Sequence, residues 1–223
     1  IPVQKMVESE KSGVMFTIDP VTNDKTKIII EAIYGLGELV VQGAITPDHY
    51  EVNKKDFTIT DKDIRIQERL LKKSGTTNKE VKISLKEGKK QKISDKQILE
   101  LAETGKKIEK HYYFPQDIEW AIEKNKIYIV QTRPITTIKS KKNNYTLDVR
   151  HYTLLLTGDA ASPGIASGPC RIIKSAKEIG KVIAGEILVA PQTNPDFVPA
   201  MKKAKAIVTD SGGRTSHAAI VSR

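Results

Sequence analysis

Cysteine is almost absent from this sequence of 223 residues. Cys170 stands alone, which excludes an intrachain disulfide framework and any metal site built from several thiolates. Aromatic residues are scarce as well, at 5% with a single Trp, so rings for base-stacking platforms are few. No apolar run approaches the ~18 residues that cross a bilayer. A secretory leader pattern is missing too, because Lys5, Glu8, Glu10 and Lys11 interrupt the first stretch. The expectation is a soluble, cytoplasmic protein with no membrane partner.

What is present is enough for a packed core, with 39% hydrophobic and 29% charged residues. The length allows one large domain or two small ones. The net charge is +10, and residues 54–110 hold 17 Lys and Arg against 10 Asp and Glu. A basic stretch can bind nucleic acid through its phosphates. Here, however, 30 of the 37 cations are lysines dispersed among acids, as at Lys72-Lys73 and Lys89-Lys90. That pattern reads as a solvated surface, and no nucleic-acid partner is expected. The sequence opens at Ile1-Pro2 and stops at Arg223, inside an apolar-patterned run that starts at His217. A helix so short is marginal by itself, so a piece of a longer chain is expected. A homo-oligomer is compatible with the sequence, which does not decide it.

Strand patterns cover Gly13–Asp19 and Lys27–Ala32, with shorter ones at Glu51-Val52 and Phe57-Thr58-Ile59. Glu38–Gly43 reads as a short helix or turn after the Gly35-Leu36-Gly37 loop. Ser94–Lys110 predicts a helix: Ile98, Leu101, Ala102 and Ile108 fall at helical spacing, and Ser94 with Gln97 fits a capping box. Asp117–Arg133 predicts a β-hairpin around the polar turn Lys124-Asn125-Lys126. Residues 138–148 are polar and unpatterned and read as an interdomain linker. In the second block, Cys170–Ile173, Ile187–Ala190 and Ala206–Thr209 are short buried-strand patterns, with a helix expected within Pro195–Lys205. The fold class is α/β (α+β), and alternating strands and helices make the second block α/β.

The stretch Thr209-Asp-Ser-Gly-Gly-Arg-Thr-Ser-His217 carries the most chemistry. A strand feeds a glycine pair, then hydroxyl residues, then a histidine where a helix begins. Gly212 and Gly213 let backbone N–H groups approach a phosphate, and Thr215 or Ser216 can cap the helix. Free N–H groups at the helix start would favour a phosphate on His217. Arg214 can add charge-assisted hydrogen bonds. Neutral imidazole is abundant near neutral pH and can act as a nucleophile. The plainer reading is a surface helix that happens to begin with histidine.

In the hairpin, the three-residue turn sets Glu119 opposite Gln131 and Asp117 opposite Arg133, all on one face. Carboxylate and amide oxygens suit magnesium, and a neighbouring arginine suits polyphosphate. A surface hairpin with an Asp–Arg ion pair, worth ~0–1 kcal/mol, explains the same pattern.

The run GGRTSHAAIVSR closely resembles the phosphohistidine signature of the PEP-utilising enzymes, and GEILVA…TNPDFVPAMKKAKAIVTD is similar to the swivelling domain of the phosphoenolpyruvate synthase type. The resemblance implies that His217 accepts phosphoryl groups, with Gly212, Gly213, Arg214, Thr215 and Ser216 supporting the phosphate loop. Thr215 matches the regulatory phosphorylation site of dikinase-type relatives. Ser216 stands where many bacterial synthases have cysteine. SGVMFTIDP, GLGELVVQGAITPDHY and DIEWAI…IYIVQTRP look like segments of the ATP-grasp nucleotide domain of the same enzymes. That implies Glu119 and Gln131 as ligands of a Mg2+–ATP complex, Arg133 on the phosphates, Asp117 as a supporting carboxylate, and Glu38 as either nucleotide-facing or loop-capping.

By this resemblance, residues 1–137 are the C-terminal part of an ATP-grasp domain and 149–223 a truncated swivelling domain. The whole enzyme would turn ATP, pyruvate and water into AMP, phosphoenolpyruvate and phosphate. Its partners would be ATP and, through a barrel not in this sequence, pyruvate and phosphoenolpyruvate. The chain alone is expected to be inactive in the full reaction. A dikinase-type enzyme or a non-catalytic phosphocarrier fragment are the alternatives.

Overall fold

A computed structural model describes residues 3–135, 153–162, 164–213 and 216–222. The expected linker at 138–148 lies outside the described residues, and so do Arg214 and Thr215.

The first unit is a six-stranded antiparallel sheet in the order β4-β3-β2-β1-β7-β8. Its strands are β1 (Lys11–Phe16), β2 (Lys27–Tyr34), β3 (Asp48–Asn53), β4 (Ile59–Asp63), β7 (Gln116–Glu123) and β8 (Lys126–Pro134). β2 reads KIIIEAIY and its middle is buried on both faces, as a nearly continuous apolar run predicts. One face of the sheet is covered by α3 (Asp95–Tyr112). Ile98, Leu101 and Ala102 of α3 join Met15, Ile30, Tyr50, Val52, Ile118 and Trp120 in the main core. The capping box expected at Ser94 forms: its hydroxyl accepts from Gln97 N, while the Gln97 side chain accepts from Ser94 N.

Two sequence expectations need correction. Phe57 and Thr58 are not strand, because Phe57 sits at φ 56° in the turn and β4 begins at Ile59. The hairpin turn is shorter than expected. Lys124 and Asn125 both have positive φ (50° and 63°), which makes a two-residue turn with Glu123 opposite Lys126. The pairing Glu119–Gln131 and Asp117–Arg133 is nevertheless observed. The register shifts between Glu119 and Trp120, so that Trp120 faces Ile129 and Val130 is the extra residue of a β-bulge.

A second hairpin, β5 (Arg69–Ser74) with β6 (Thr77–Lys82), and the short helices α1 (Glu38–Val41) and α2 (Leu85–Gly88) flank the sheet. The sequence pattern did not reveal this hairpin, since every residue of β6 is exposed and no apolar alternation marks it.

At the α2 corner lies a buried ion pair. Lys92 Nζ is 2.8 Å from Asp48 Oδ1, with side-chain exposures of 1% and 0%. Asp48 also accepts from Arg65 N, Lys92 N and the Tyr50 hydroxyl. The Lys92 ammonium donates to the carbonyls of Gly88 and Arg65. Burial, with the Asp48 charge beside it, pushes the Tyr50 hydroxyl pKa up. Every partner is satisfied, which is the condition under which a buried pair is tolerated.

The second unit is a three-stranded parallel sheet in the order β11-β10-β9, from β9 (Cys170–Ile172), β10 (Ile187–Ala190) and β11 (Ala206–Thr209). The expected helix within Pro195–Lys205 is a 3-10 turn (Pro195–Phe197) continuing into α4 (Val198–Met201). Phe197, Ala200 and Met201 pack with Leu188, Ala190 and Ile173. The helix α5 (His217–Val221) follows β11.

Removing one member of the buried pair leaves a charge with no partner. Asp48→Ala is expected to lower stability by about 3–5 kcal/mol, measured by urea unfolding followed through the fluorescence of Trp120. A loss below about 1 kcal/mol would mean that the Lys92 ammonium finds water instead.

Candidate functional site

The face of the large sheet away from α3 carries the hairpin residues singled out in the sequence. Strict alternation along β8 would leave Gln131 on the same side as Ile127 and Ile129, which pack into the main core. The bulge at Val130 reverses the phase, so Gln131 and Arg133 join Glu119 and Asp117 on the outer face. Thr132 then takes the inner side, where its hydroxyl meets Gln116 Oε1 at 2.9 Å.

Arg133 donates to Asp117 Oδ2 from Nε at 2.9 Å, and its Nη2 lies 2.8 Å from the same oxygen. The Asp117 side chain is only 12% exposed, while Arg133 is 55% exposed, so the guanidinium can still meet an anion from outside. Burial raises the Glu119 pKa above the ordinary carboxylate value, the Asp117 charge raises it further, and Arg133 opposes both. A carboxyl held up in this way gains from any cation placed beside it. The oxygen donors Glu119 and Gln131, with Asp117 close by, therefore fit a hard divalent ion.

Glu31 continues the same face. Val14 pairs with Glu119 on one side and with Glu31 on the other, so the two glutamates flank one residue and lie about 10 Å apart at ordinary strand spacing. Glu38 is in the first turn of α1, where Oε1 accepts from Gln42 and Oε2 from Asn78. Its carboxylate thus bonds side chains of the next helical turn and of β6.

The histidine loop of the second unit rests against this edge. Ser211 Oγ donates to the Gly43 carbonyl at 3.3 Å. A Cβ at Gly43 would meet Ser216 Cβ at 2.9 Å, and one at Gly212 would meet it at 2.8 Å. One at Gly213 would meet the Glu31 carboxylate at 3.0 Å and Pro47 at 2.9 Å. The approach of the two segments thus depends on bare backbone at Gly43 and Gly213, while Gly212 is required by the packing of its own loop. Gly43 and Gly212 also have φ of 71° and 111°.

His217 is the first residue of α5, and Ser216 caps that helix by accepting from Ala219 N at 3.4 Å. Of the two capping candidates, Ser216 therefore serves. The His217 ring is fixed by Thr193, whose Oγ1 lies 2.9 Å from Nδ1. Burial lowers the His217 pKa below its ordinary value, which keeps the ring neutral near pH 7 and its lone pair available. Thr193 is 3% exposed and was missed in the sequence reading. It lies in the loop after β10, as the glycine loop lies after β11. Both sit at the carboxyl ends of parallel strands, where α/β sheets gather their sites, and that rule was the signal available.

Residues 1–152 match the family described as pyruvate phosphate dikinase, AMP/ATP-binding domain. Residues 182–223 match the one described as PEP-utilising enzyme, mobile domain. The chain belongs to the pyruvate phosphate dikinase family of PEP-utilising enzymes. A protein of Pyrococcus horikoshii named probable phosphoenolpyruvate synthase is 52% identical over 99% of the chain and 28% of its own length. One of Archaeoglobus fulgidus with the same name is 52% identical over 100% of the chain and 30% of its length. The phosphoenolpyruvate synthase of Aquifex aeolicus is 42% identical over 100% of the chain and 29% of its length. The chain thus spans under a third of these family members. Among its described residues no helix is long and apolar enough to cross a membrane.

The raised Glu119 pKa has a measurable sign. Its penalty is absent below the unfolded-state value, grows as pH rises from there, and is complete above the higher folded-state value. Glu119→Gln is therefore expected to melt higher than the parent chain at pH 8, with the difference closing toward pH 4. A constant difference across that range in thermal melts would remove ionisation as the cause.

Proposed function

We propose that the chain is the part of a phosphoenolpyruvate synthase that binds ATP and takes up its phosphoryl group on His217. Residues 1–137 are read as the C-terminal part of an ATP-grasp domain, 138–148 as the linker, and 149–223 as the swivelling domain. One observation carries the reading: the histidine loop rests at Glu31, on the same sheet face as Asp117, Glu119, Gln131 and Arg133. The distance of about 10 Å between Glu31 and Glu119 is comparable to an extended polyphosphate.

Glu119 and Gln131 would hold Mg2+, which when bound offsets charge on the polyphosphate. Arg133 orients the phosphates and matches charge developing on them. Thr193 fixes the imidazole through Nδ1, which leaves Nε2 as the attacking atom. The Nε2 lone pair forms a bond to the β-phosphorus, and the bond from that phosphorus to the α-phosphate oxygen breaks. AMP leaves with the electron pair. Water then removes the outer phosphate, leaving phosphohistidine and inorganic phosphate. Movement of the second unit about the linker would carry the phosphohistidine to a pyruvate site elsewhere in the whole enzyme. A dikinase-type enzyme would use the same first step. Gly212, Gly213, Arg214 and Ser216 are assigned to the phosphate loop, and Thr215 to regulatory phosphorylation. ATP is the substrate here, pyruvate and phosphoenolpyruvate are partners of the whole enzyme, and a cytoplasmic location follows from that chemistry.

The chain incubated with Mg2+ and ATP labelled at the β-phosphate is expected to label weakly at most, as part of the nucleotide domain is absent from it, and any label should be acid-labile, base-stable and abolished by His217→Ala. Thr193→Val should slow labelling at least about tenfold, roughly 1.4 kcal/mol of barrier, with ATP affinity unchanged. Label that persists in His217→Ala would overturn the assignment of the nucleophile. No label at any ATP concentration would favour the non-catalytic carrier.

A further inference from the structure

At the C-terminal end of α3, an open groove of about 390 Å³ lies between the helix end, the β1–β2 loop and the turn after β3. It lies on the α3 side of the sheet, while Asp117, Glu119, Gln131 and Arg133 face the other way. Four lysines line it: Lys25, Lys54, Lys106 and Lys110.

Two of these are locked in place. Lys54, with its side chain 14% exposed, bonds to Glu109 at 2.8 Å and to the Thr17 carbonyl. Lys106 donates to the Lys54 carbonyl at 2.8 Å and lies over the Phe57 ring at 4.8 Å. Among the described residues, no carboxylate pairs with Lys25, Lys106 or Lys110. Two acidic groups stand near. Glu109 is held by Lys54. Asp24 feels the Lys54 charge and accepts from the Thr26 hydroxyl and N–H. The balance at the groove stays positive. Lysines in the last turn of a helix also answer its dipole, but Lys25 and Lys54 come from other elements and are not explained that way.

The groove also has an aromatic rim. Tyr113 is 92% exposed and Phe114 42%, in a chain where aromatics make up only 5%. Tyr113 caps α3 in the left-handed region at φ 57°, a position that glycine or asparagine usually takes. This helix end leaves the Tyr113 ring in solvent beside the lysines, on an open surface whose volume suits a small ligand.

We propose that this groove binds a nucleoside monophosphate, separately from the phosphoryl-transfer face. Lys25, Lys106 and Lys110 take the phosphate as charge-assisted donors, and the base stacks on Tyr113 or Phe114. The site does not depend on the role given to His217.

Equilibrium dialysis of the whole chain against AMP tests the proposal, with ribose 5-phosphate and inorganic phosphate as controls. In an Arg133→Ala background, which weakens the other face, AMP binding is expected to remain. Lys25→Glu with Lys110→Glu should reduce it about tenfold or more. Tyr113→Ala combined with Phe114→Ala should weaken AMP while leaving inorganic phosphate unchanged. All four positions are exposed, and circular dichroism checks that the fold persists. The proposal is overturned if AMP does not bind the Arg133→Ala chain. It is also overturned if binding is indifferent to the lysine changes, or if inorganic phosphate or ribose 5-phosphate binds as tightly as AMP.

Discussion

One extra residue, Val130, decides what the large sheet can present to a ligand. Ile127 and Ile129 must point into the core, because they pair with Ile122 and Trp120 over α3. Without the bulge the same alternation would drive Gln131 and Arg133 inward as well. An arginine buried there without a partner would cost several kcal/mol. The bulge lets one strand serve a packed core along its first half and a polar face along its second. Pairing of Asp117 with Arg133, and of Glu119 with Gln131, follows from that single change of phase.

The two polar clusters of the first unit are built on opposite principles. On the inner side, Asp48 and Lys92 are sealed from water, and each finds all its partners within the protein. Such a pair fixes geometry and offers nothing to a ligand. On the outer side, Glu119 keeps a raised pKa because Arg133 is turned to Asp117 and only partly offsets burial. The imbalance costs some stability, and a cation placed beside Glu119 would offset it. Under the proposed function, the metal–nucleotide complex would supply that charge.

The sequence disclosed whatever depended on local chemistry. Ser94 and Gln97 announce a capped helix because both capping bonds lie within four residues. The strands of both units follow from short apolar runs. The pairing of Glu119 with Gln131 was anticipated through two errors that cancel: the turn has one residue fewer than expected, and the bulge restores the lost step. A bulge answers to the core on one side and the ligand face on the other, so no pattern within the strand announces it. Phe57 was misplaced for a related reason. Its β propensity is overridden by a turn, and the ring serves as a platform for Lys106. Thr193 is invisible locally, because its role arises only when parallel strands bring two loops together.

The seam between the two units is made of glycine backbone and small hydroxyls. Besides the Ser211 bond to Gly43, an ion pair between Arg65 and Asp159 at 2.7 Å joins them, and both of its members are partly exposed. Exposed pairs contribute about 0–1 kcal/mol, so polar bonds give this seam little strength. Its selectivity comes from shape, since a Cβ at Gly43 or Gly213 would collide with the opposing surface. For the phosphoryl transfer proposed above, such a close but weak contact would let the loop approach the sheet face at Glu31 and leave again without breaking a strong bond.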